Sequence, residues 1–293
     1  MQGTIDGFSY GLVTPLVAYL MACLGGALGL RCTTRSMLVA GRWRAGWLAM
    51  GSAAIGSGIW TMHFIAMMGF TVRETPIHYD KPITFASLAV AIVMVGIGIF
   101  IVGYKGATGT ALFTGGTITG LGIASMHYLG MAGMRLNGKL EYNTLTVSAS
   151  VVIAVAAATA ALWAAGQVRG FLWSVGASLV MGLAVTGMHY TGMAALNVHL
   201  HGAAGGTPAG ESPASLLAPM LIGPLAFLFL AGVVVLFDPM MVMGRPAAWT
   251  TTEQRPGIPA HATAAHLGRR PAARSRHHHE GTRRPSSRTP QNW

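Results

Sequence analysis

Charge is scarce in this chain. Asp, Glu, Lys and Arg make up 9% of its 293 residues, against about 25% in a soluble globular domain. That excludes an ordinary water-soluble fold. With 52% hydrophobic residues and a mean hydropathy of +0.53, the composition is that of a polytopic membrane protein. Cysteine is nearly missing. Cys23 and Cys32 fall within or at the end of the first apolar stretch, so a disulfide framework is excluded. A positive segment ahead of Cys23 is also missing, and Asp6 sits where one belongs. Leu20-Met21-Ala22-Cys23 therefore reads as part of an ordinary first helix rather than a lipoprotein cleavage box.

What is plentiful is glycine, 40 residues. Small residues let membrane helices approach closely. Seven apolar stretches, 8–30, 46–70, 83–103, 110–134, 145–165, 171–196 and 215–237, are each long enough to cross a bilayer, which takes about 20 residues. The expected fold is all-α: a polytopic transmembrane helix bundle of seven spans over residues 1–237. A basic, Pro- and Arg-rich cytoplasmic tail over 238–293 follows it.

The net charge of +11 is mostly a property of that tail. Nine of the nineteen Lys and Arg residues lie between Arg245 and Arg288. In the membrane part, Arg31, Arg35, Arg42 and Arg44 crowd the first loop. The positive-inside rule then places the N-terminus outside and the C-terminus in the cytoplasm of a bacterial cytoplasmic membrane.

One phrase is written three times: Met62-His63-Phe64, Met126-His127-Tyr128 and Met188-His189-Tyr190. Each is followed at the same offset by a further methionine, Met67, Met131 and Met193. The histidines are 64 and 62 residues apart, which marks an internal repeat of two helices. Two spans return the chain to the same side, so the three copies are parallel and the seventh helix stands outside them. Their motifs are expected at one depth in the outer leaflet. Small residues precede each histidine: Gly56, Ser57 and Gly58; Gly120, Gly122 and Ala124; Gly182, Ala184 and Gly187. They read as packing positions.

On a helix, i and i+4 share a face, so each motif helix presents an imidazole and a thioether together. Met62, Met126 and Met188 flank the pairs. Imidazole with thioether suits copper, Cu(I) above all. Asp and Glu are missing near all three histidines, which argues against magnesium, calcium or a carboxylate-bridged pair of metals. Zinc on nitrogen ligands stays open, as does haem held by two of the histidines. Tyr128 and Tyr190 are candidates to hydrogen-bond a ligand, a role that Phe64 cannot share. Ionisable groups inside membranes are functional candidates by default.

These phrases resemble the signature of the MHYT domain, a bacterial integral-membrane sensor module. Met188-His189-Tyr190-Thr191 matches the name letter for letter, and the resemblance covers about residues 8 to 237. It implies copper held near the outer face by Met62, His63, Met67, Met126, His127, Met131, Met188, His189 and Met193. It also implies sensing of oxygen, carbon monoxide or nitric oxide. Phe64 departs from the usual tyrosine. Many members carry a cytoplasmic signalling enzyme, and the roughly 55 residues after the seventh span are too few for one. With almost no large apolar residues they are expected to be disordered. Their arginines suit anionic lipid or a cytoplasmic signalling partner, with nucleic acid a weaker fit. The row His277, His278 and His279 reads as a flexible polar tract.

Three functions follow as expectations. The first is a non-catalytic membrane sensor. The second is a copper transporter, which predicts ligands continuing through the membrane to the inner side; Cys23 lies at mid-depth and Met50 and Met181 lie inward of their motifs, but they form no repeated series. The third is a membrane oxidase, for which the spans offer no nucleophile–base arrangement and no carboxylate pair.

Overall fold

A computed structural model of the chain describes residues 2–167, 171–200 and 210–238. Seven long helices run through it: α1 (Val13–Ser36), α2 (Gly41–Met68), α3 (Lys81–Lys105), α4 (Gly109–Ala132), α5 (Thr144–Gln167), α6 (Phe171–Ala194) and α7 (Pro213–Leu236). The shortest have 24 residues, or about 36 Å at 1.5 Å per residue, enough to cross the roughly 30 Å hydrocarbon layer. Six are apolar enough to span by composition. The seventh, α4, carries the second motif, and its run of Gly and Thr dilutes its hydropathy. The seven-span all-α bundle expected from the sequence is the fold, and the chain is a multi-pass membrane protein.

Six of the helices pack in chain order as a closed ring, α1 to α6, with α6 returning to α1. α7 lies outside the ring against α2 and α1. Contact is closest between α1 and α2, where Gly25 and Gly58 face each other. A Cβ on either would lie 2.7 Å from the other's Cα. The expected packing role therefore holds for Gly58. Gly187 has open space around it.

Short strands replace the polar turns expected between spans. β1 (Ile5–Asp6), β2 (Thr71–Val72), β3 (His78–Tyr79), β4 (Met134–Arg135), β5 (Gly138–Tyr142) and β6 (Leu196–Leu200) form three antiparallel pairs, β1–β2, β3–β4 and β5–β6. Each repeat is thus strand–helix–helix–strand, closed by its own first and last strand. The pairing gives backbone N–H and C=O groups at the membrane boundary the partners they require. The longest pair alternates in the manner of strands, Gly-Lys-Leu-Glu-Tyr against Leu-Asn-Val-His-Leu.

The first span also starts later than the sequence suggested. Residues 2–10 form a strap across the sheeted end of the bundle. Gly3 N–H donates to Val198 O, β1 pairs with β2, and Ser9 N–H donates to Gly69 O. Phe8, read as helical, belongs to this strap.

Caps and ion pairs pin the helix ends. Asp80 Oδ1 accepts from Ile83 N–H at 3.1 Å, with Pro82 in the first turn of α3. Its other oxygen meets Arg135 at 3.2 Å. That backbone N–H, then the Arg135 guanidinium, hold the Asp80 carboxyl below its usual range. At the opposite end of the bundle, Arg35 Nε meets Asp238 Oδ2 at 2.8 Å, Asp238 being buried and Arg35 largely so. The guanidinium of Arg35 also lies over the Trp47 ring. The disorder expected of the tail, and the His277–His279 row, lie outside the described residues.

Candidate metal centre

Each motif histidine stands five residues before the end of its helix: His63 on α2, His127 on α4 and His189 on α6. The equal depth follows from the repeat. All three imidazoles are 1% exposed.

Their Nδ1 atoms form a triangle. His63 to His189 is 3.0 Å, His127 to His63 is 3.2 Å, and His189 to His127 is 3.3 Å. The ring planes stand 78–88° apart, so the three imidazoles meet like propeller blades. Among the described residues this is the cluster of His, Cys, Asp or Glu able to hold a metal ion.

The triangle poses a hydrogen-bond problem. A neutral imidazole Nδ1 either donates or accepts, never both. Three such atoms cannot complete a ring of hydrogen bonds. At least one pair must face proton to proton or lone pair to lone pair, an unfavourable contact deep in a low-dielectric interior. A single cation bound by three lone pairs removes the conflict. The spacing fits as well. Two nitrogens bound to one ion at about 2.0–2.1 Å lie roughly 3.3 Å apart at a tetrahedral angle and roughly 3.5 Å apart at a trigonal one. The longest observed edge reaches this range and the other two are 0.1–0.3 Å shorter, so a small opening of the triangle would let the three nitrogens hold one ion.

With Nδ1 turned inward, Nε2 faces the surrounding helices. The Nε2 atoms of His63 and His127 are buried without a hydrogen-bond partner, unlike the usual outer-shell arrangement. Each is sealed against a glycine of the next repeat. A Cβ on Gly130 would come within 2.6 Å of His63 Nε2, and one on Gly192 within 2.5 Å of His127 Nε2. Gly130 and Gly192 were not expected as site residues. Their signal was in the sequence, since each follows a motif histidine by three positions.

The aromatic residue after each histidine packs edge-on against it, with centroids 4.6 Å apart for His63–Phe64, 4.8 Å for His127–Tyr128 and 4.9 Å for His189–Tyr190. Phe64 performs this packing as well as tyrosine does. Tyr128 and Tyr190 differ in what their hydroxyls meet. Tyr128 is engaged with Ser150 at 2.6 Å, whereas the Tyr190 hydroxyl is buried without a partner.

Of the expected sulfur ligands, Met62, Met67, Met126, Met131 and Met188 are buried in the same core cluster, and Met193 packs partly exposed against it. Met67 and Met193 also line a cavity of about 290 Å³ beside His189 and Tyr190.

Known proteins agree with this repeat. The family described as MHYT, bacterial signalling protein N terminal repeat, matches residues 56–115 and 120–178, which hold the first two motifs. The chain belongs to the MHYT family. A Pseudomonas aeruginosa protein, the bifunctional diguanylate cyclase/cyclic di-GMP phosphodiesterase MucR, is 35% identical over 235 residues, covering 78% of this chain and 34% of that protein. Cyclic di-GMP phosphodiesterase NbdA of the same organism is 34% identical over 206 residues, 67% of this chain and 26% of its own length. Signaling protein YkoW of Bacillus subtilis is 29% identical over 198 residues, 65% and 24% respectively. The chain thus spans about a third or less of these MHYT relatives. No solved structure matches it.

Proposed function

We propose that the chain is a non-catalytic sensory module of a bacterial signalling system, in which His63, His127 and His189 hold one copper ion through Nδ1. The observation that carries the reading is the Nδ1 triangle, with edges of 3.0–3.3 Å and no internal way to satisfy its own hydrogen bonding. Copper is chosen over zinc because the three motifs carry six methionines, and thioether favours the softer ion. Bound there, copper supplies an open coordination position for a diatomic gas such as oxygen, carbon monoxide or nitric oxide. The triad's residues exclude water, fix the donor geometry and couple three helices at one point.

The sheeted end of the bundle faces outward in this reading. Arg31, Arg35, Arg42 and Arg44 gather at the other end and mark the cytoplasmic side. The apolar outer surface of the ring contacts lipid. Residues 238–293 reach a cytoplasmic signalling partner or the anionic membrane surface. The activities in the names of MucR and NbdA belong to those proteins, and a signalling role for this chain draws on that kinship.

Two alternatives are less favoured. A haem held between two histidines sets its axial nitrogens about 4 Å apart on opposite faces of a macrocycle. A spacing of 3.0–3.3 Å suits one small ion better. A transporter needs further ligands below the triad. There the bundle interior is lined mostly by aliphatic side chains such as Leu30, Ile55, Val95, Ile123 and Val185, with Met181 as its one thioether, which makes no continuous series of ligands.

The test is metal content by mass spectrometry, with an absorption spectrum, on detergent-purified protein and its His63/His127/His189 triple alanine variant. About one copper per chain, lost in the variant, supports the reading. A Soret band replaces copper by haem. Absence of metal after reconstitution overturns it.

A further inference from the structure

The three imidazoles are alike in depth and burial but differ in what closes them off. Nε2 of His63 abuts Gly130 of the second repeat, and Nε2 of His127 abuts Gly192 of the third. Continued around the ring, the contact for His189 falls on the residue three positions after His63. That residue is Ala66, which has a side chain where the others have none. It holds the register position that Gly130 and Gly192 hold on the other two motif helices.

A cavity of about 290 Å³ opens at this point, bordered by both Ala66 and His189 and by neither His63 nor His127. Met67, Met193 and Tyr190 line it, and the strap residue Phe8 lies at its mouth. Phe8 stacks on the Tyr190 ring, with centroids 5.6 Å apart and planes 14° from parallel. Phe8 and Ala194 are exposed while His189 is buried, so the cavity leads from the surface to the triad. Tyr190 borders it, its hydroxyl being buried without a partner, and the rest of the lining apart from the His189 imidazole is apolar.

We infer that small uncharged molecules reach the triad by a single route, over His189 and beneath the strap. Ala66 breaks the threefold symmetry and keeps the route open. The Tyr190 ring borders it, and Phe8, stacked on that ring, covers its mouth. An apolar passage admits a neutral diatomic and disfavours hydrated ions, whose desolvation is costly. This rests on the reading of the triad as the binding centre.

The probe is diethyl pyrocarbonate, a neutral reagent that carbethoxylates accessible imidazoles, applied to the metal-free full chain in detergent and mapped by peptide mass spectrometry. Exposed His199 is the internal standard. His189 is expected to react at least about tenfold faster than His63 and His127, whose reaction reports only local opening of the bundle. Ala66→Leu is expected to bring His189 down to the rate of the other two. Phe8→Ala, a surface change that leaves the core intact, is expected to raise it severalfold. Equal reactivity of the three histidines, or a His189 rate unmoved by both variants, overturns the inference. Because metal is absent, these outcomes stand apart from the copper measurement. An inaccessible His189 in a copper-binding protein refutes the route alone, and an accessible one in a protein that binds no metal refutes the metal centre alone.

Discussion

His63 Nδ1 lies 3.0 Å from His189 Nδ1, although 126 residues separate them in the chain. His127 completes the triangle from a third helix. A bound ion therefore ties α2, α4 and α6 together and stabilises the folded state by mass action. Free ligand at a hundred times Kd adds about 2.7 kcal/mol. Removing metal with a chelator is expected to lower the thermal unfolding midpoint of the wild-type protein. The triple alanine variant is expected to unfold at one temperature with or without chelator. A wild-type midpoint indifferent to metal refutes the linkage.

Gly130→Ala places a methyl group 2.6 Å from His63 Nε2. Neither the helix backbone nor the imidazole can yield without spoiling the triangle. Overpacking of this kind costs about 1–3 kcal/mol. The variant is expected to unfold earlier and bind metal at least tenfold more weakly, read by competition with a chelator of known affinity. Gly192→Ala is expected to do the same through His127. Ala66→Gly, which removes the odd methyl group, is expected to leave metal affinity within a few fold.

The Arg35–Asp238 pair joins the end of α1 to the residue just beyond α7. Both side chains are largely buried, and removing one partner of a buried ion pair costs up to about 3–5 kcal/mol. Arg35→Ala is expected to destabilise the bundle by that order, measured by thermal unfolding in detergent. Arg35→Ala combined with Asp238→Ala is expected to recover part of the loss. Additive losses in the double variant show that the two side chains do not act as a pair.

Asp80 supplies the acid dependence outside the membrane. Its folded carboxyl is held below its usual value, about 3.9, by the Ile83 N–H and then by Arg135. A lowered folded value means stability that is present above the unfolded value and lost as pH falls through the folded one. Asp80→Asn is therefore expected to lower the unfolding midpoint at pH 7 and to flatten its decline below pH 4. An unchanged slope in the variant assigns the acid sensitivity elsewhere.

Much of the site was legible before any coordinates. Three motifs at periods of 64 and 62 residues, each on the second helix of a pair, place three histidines at one level. The structure bears that out, with each histidine five residues from its helix end. The glycine at the third position after His127 and His189, and its change to Ala66 in the first copy, were visible too. They lacked meaning until the order of contacts around the ring was known. The strap and the paired strands were harder to read. β1 to β4 are two residues long, too short for alternation to show, and Phe8 is as apolar as the helix that follows it.

The sequence by itself determined the membrane class, the seven helices and the shared depth of the histidines, because length, apolarity and repeat period are properties of single segments. Only the tertiary structure decided that the three Nδ1 atoms converge, that Gly130 and Gly192 close two of the imidazoles, that Ala66 leaves the third beside a cavity, and that Arg35 meets Asp238. The physical reason lies in the solvent. In lipid both faces of a helix are apolar, so no amphipathic stripe marks which side turns inward. The rotation of each helix is then set by close packing with its neighbours, such as Gly25 against Gly58, and that information exists only once the segments are assembled.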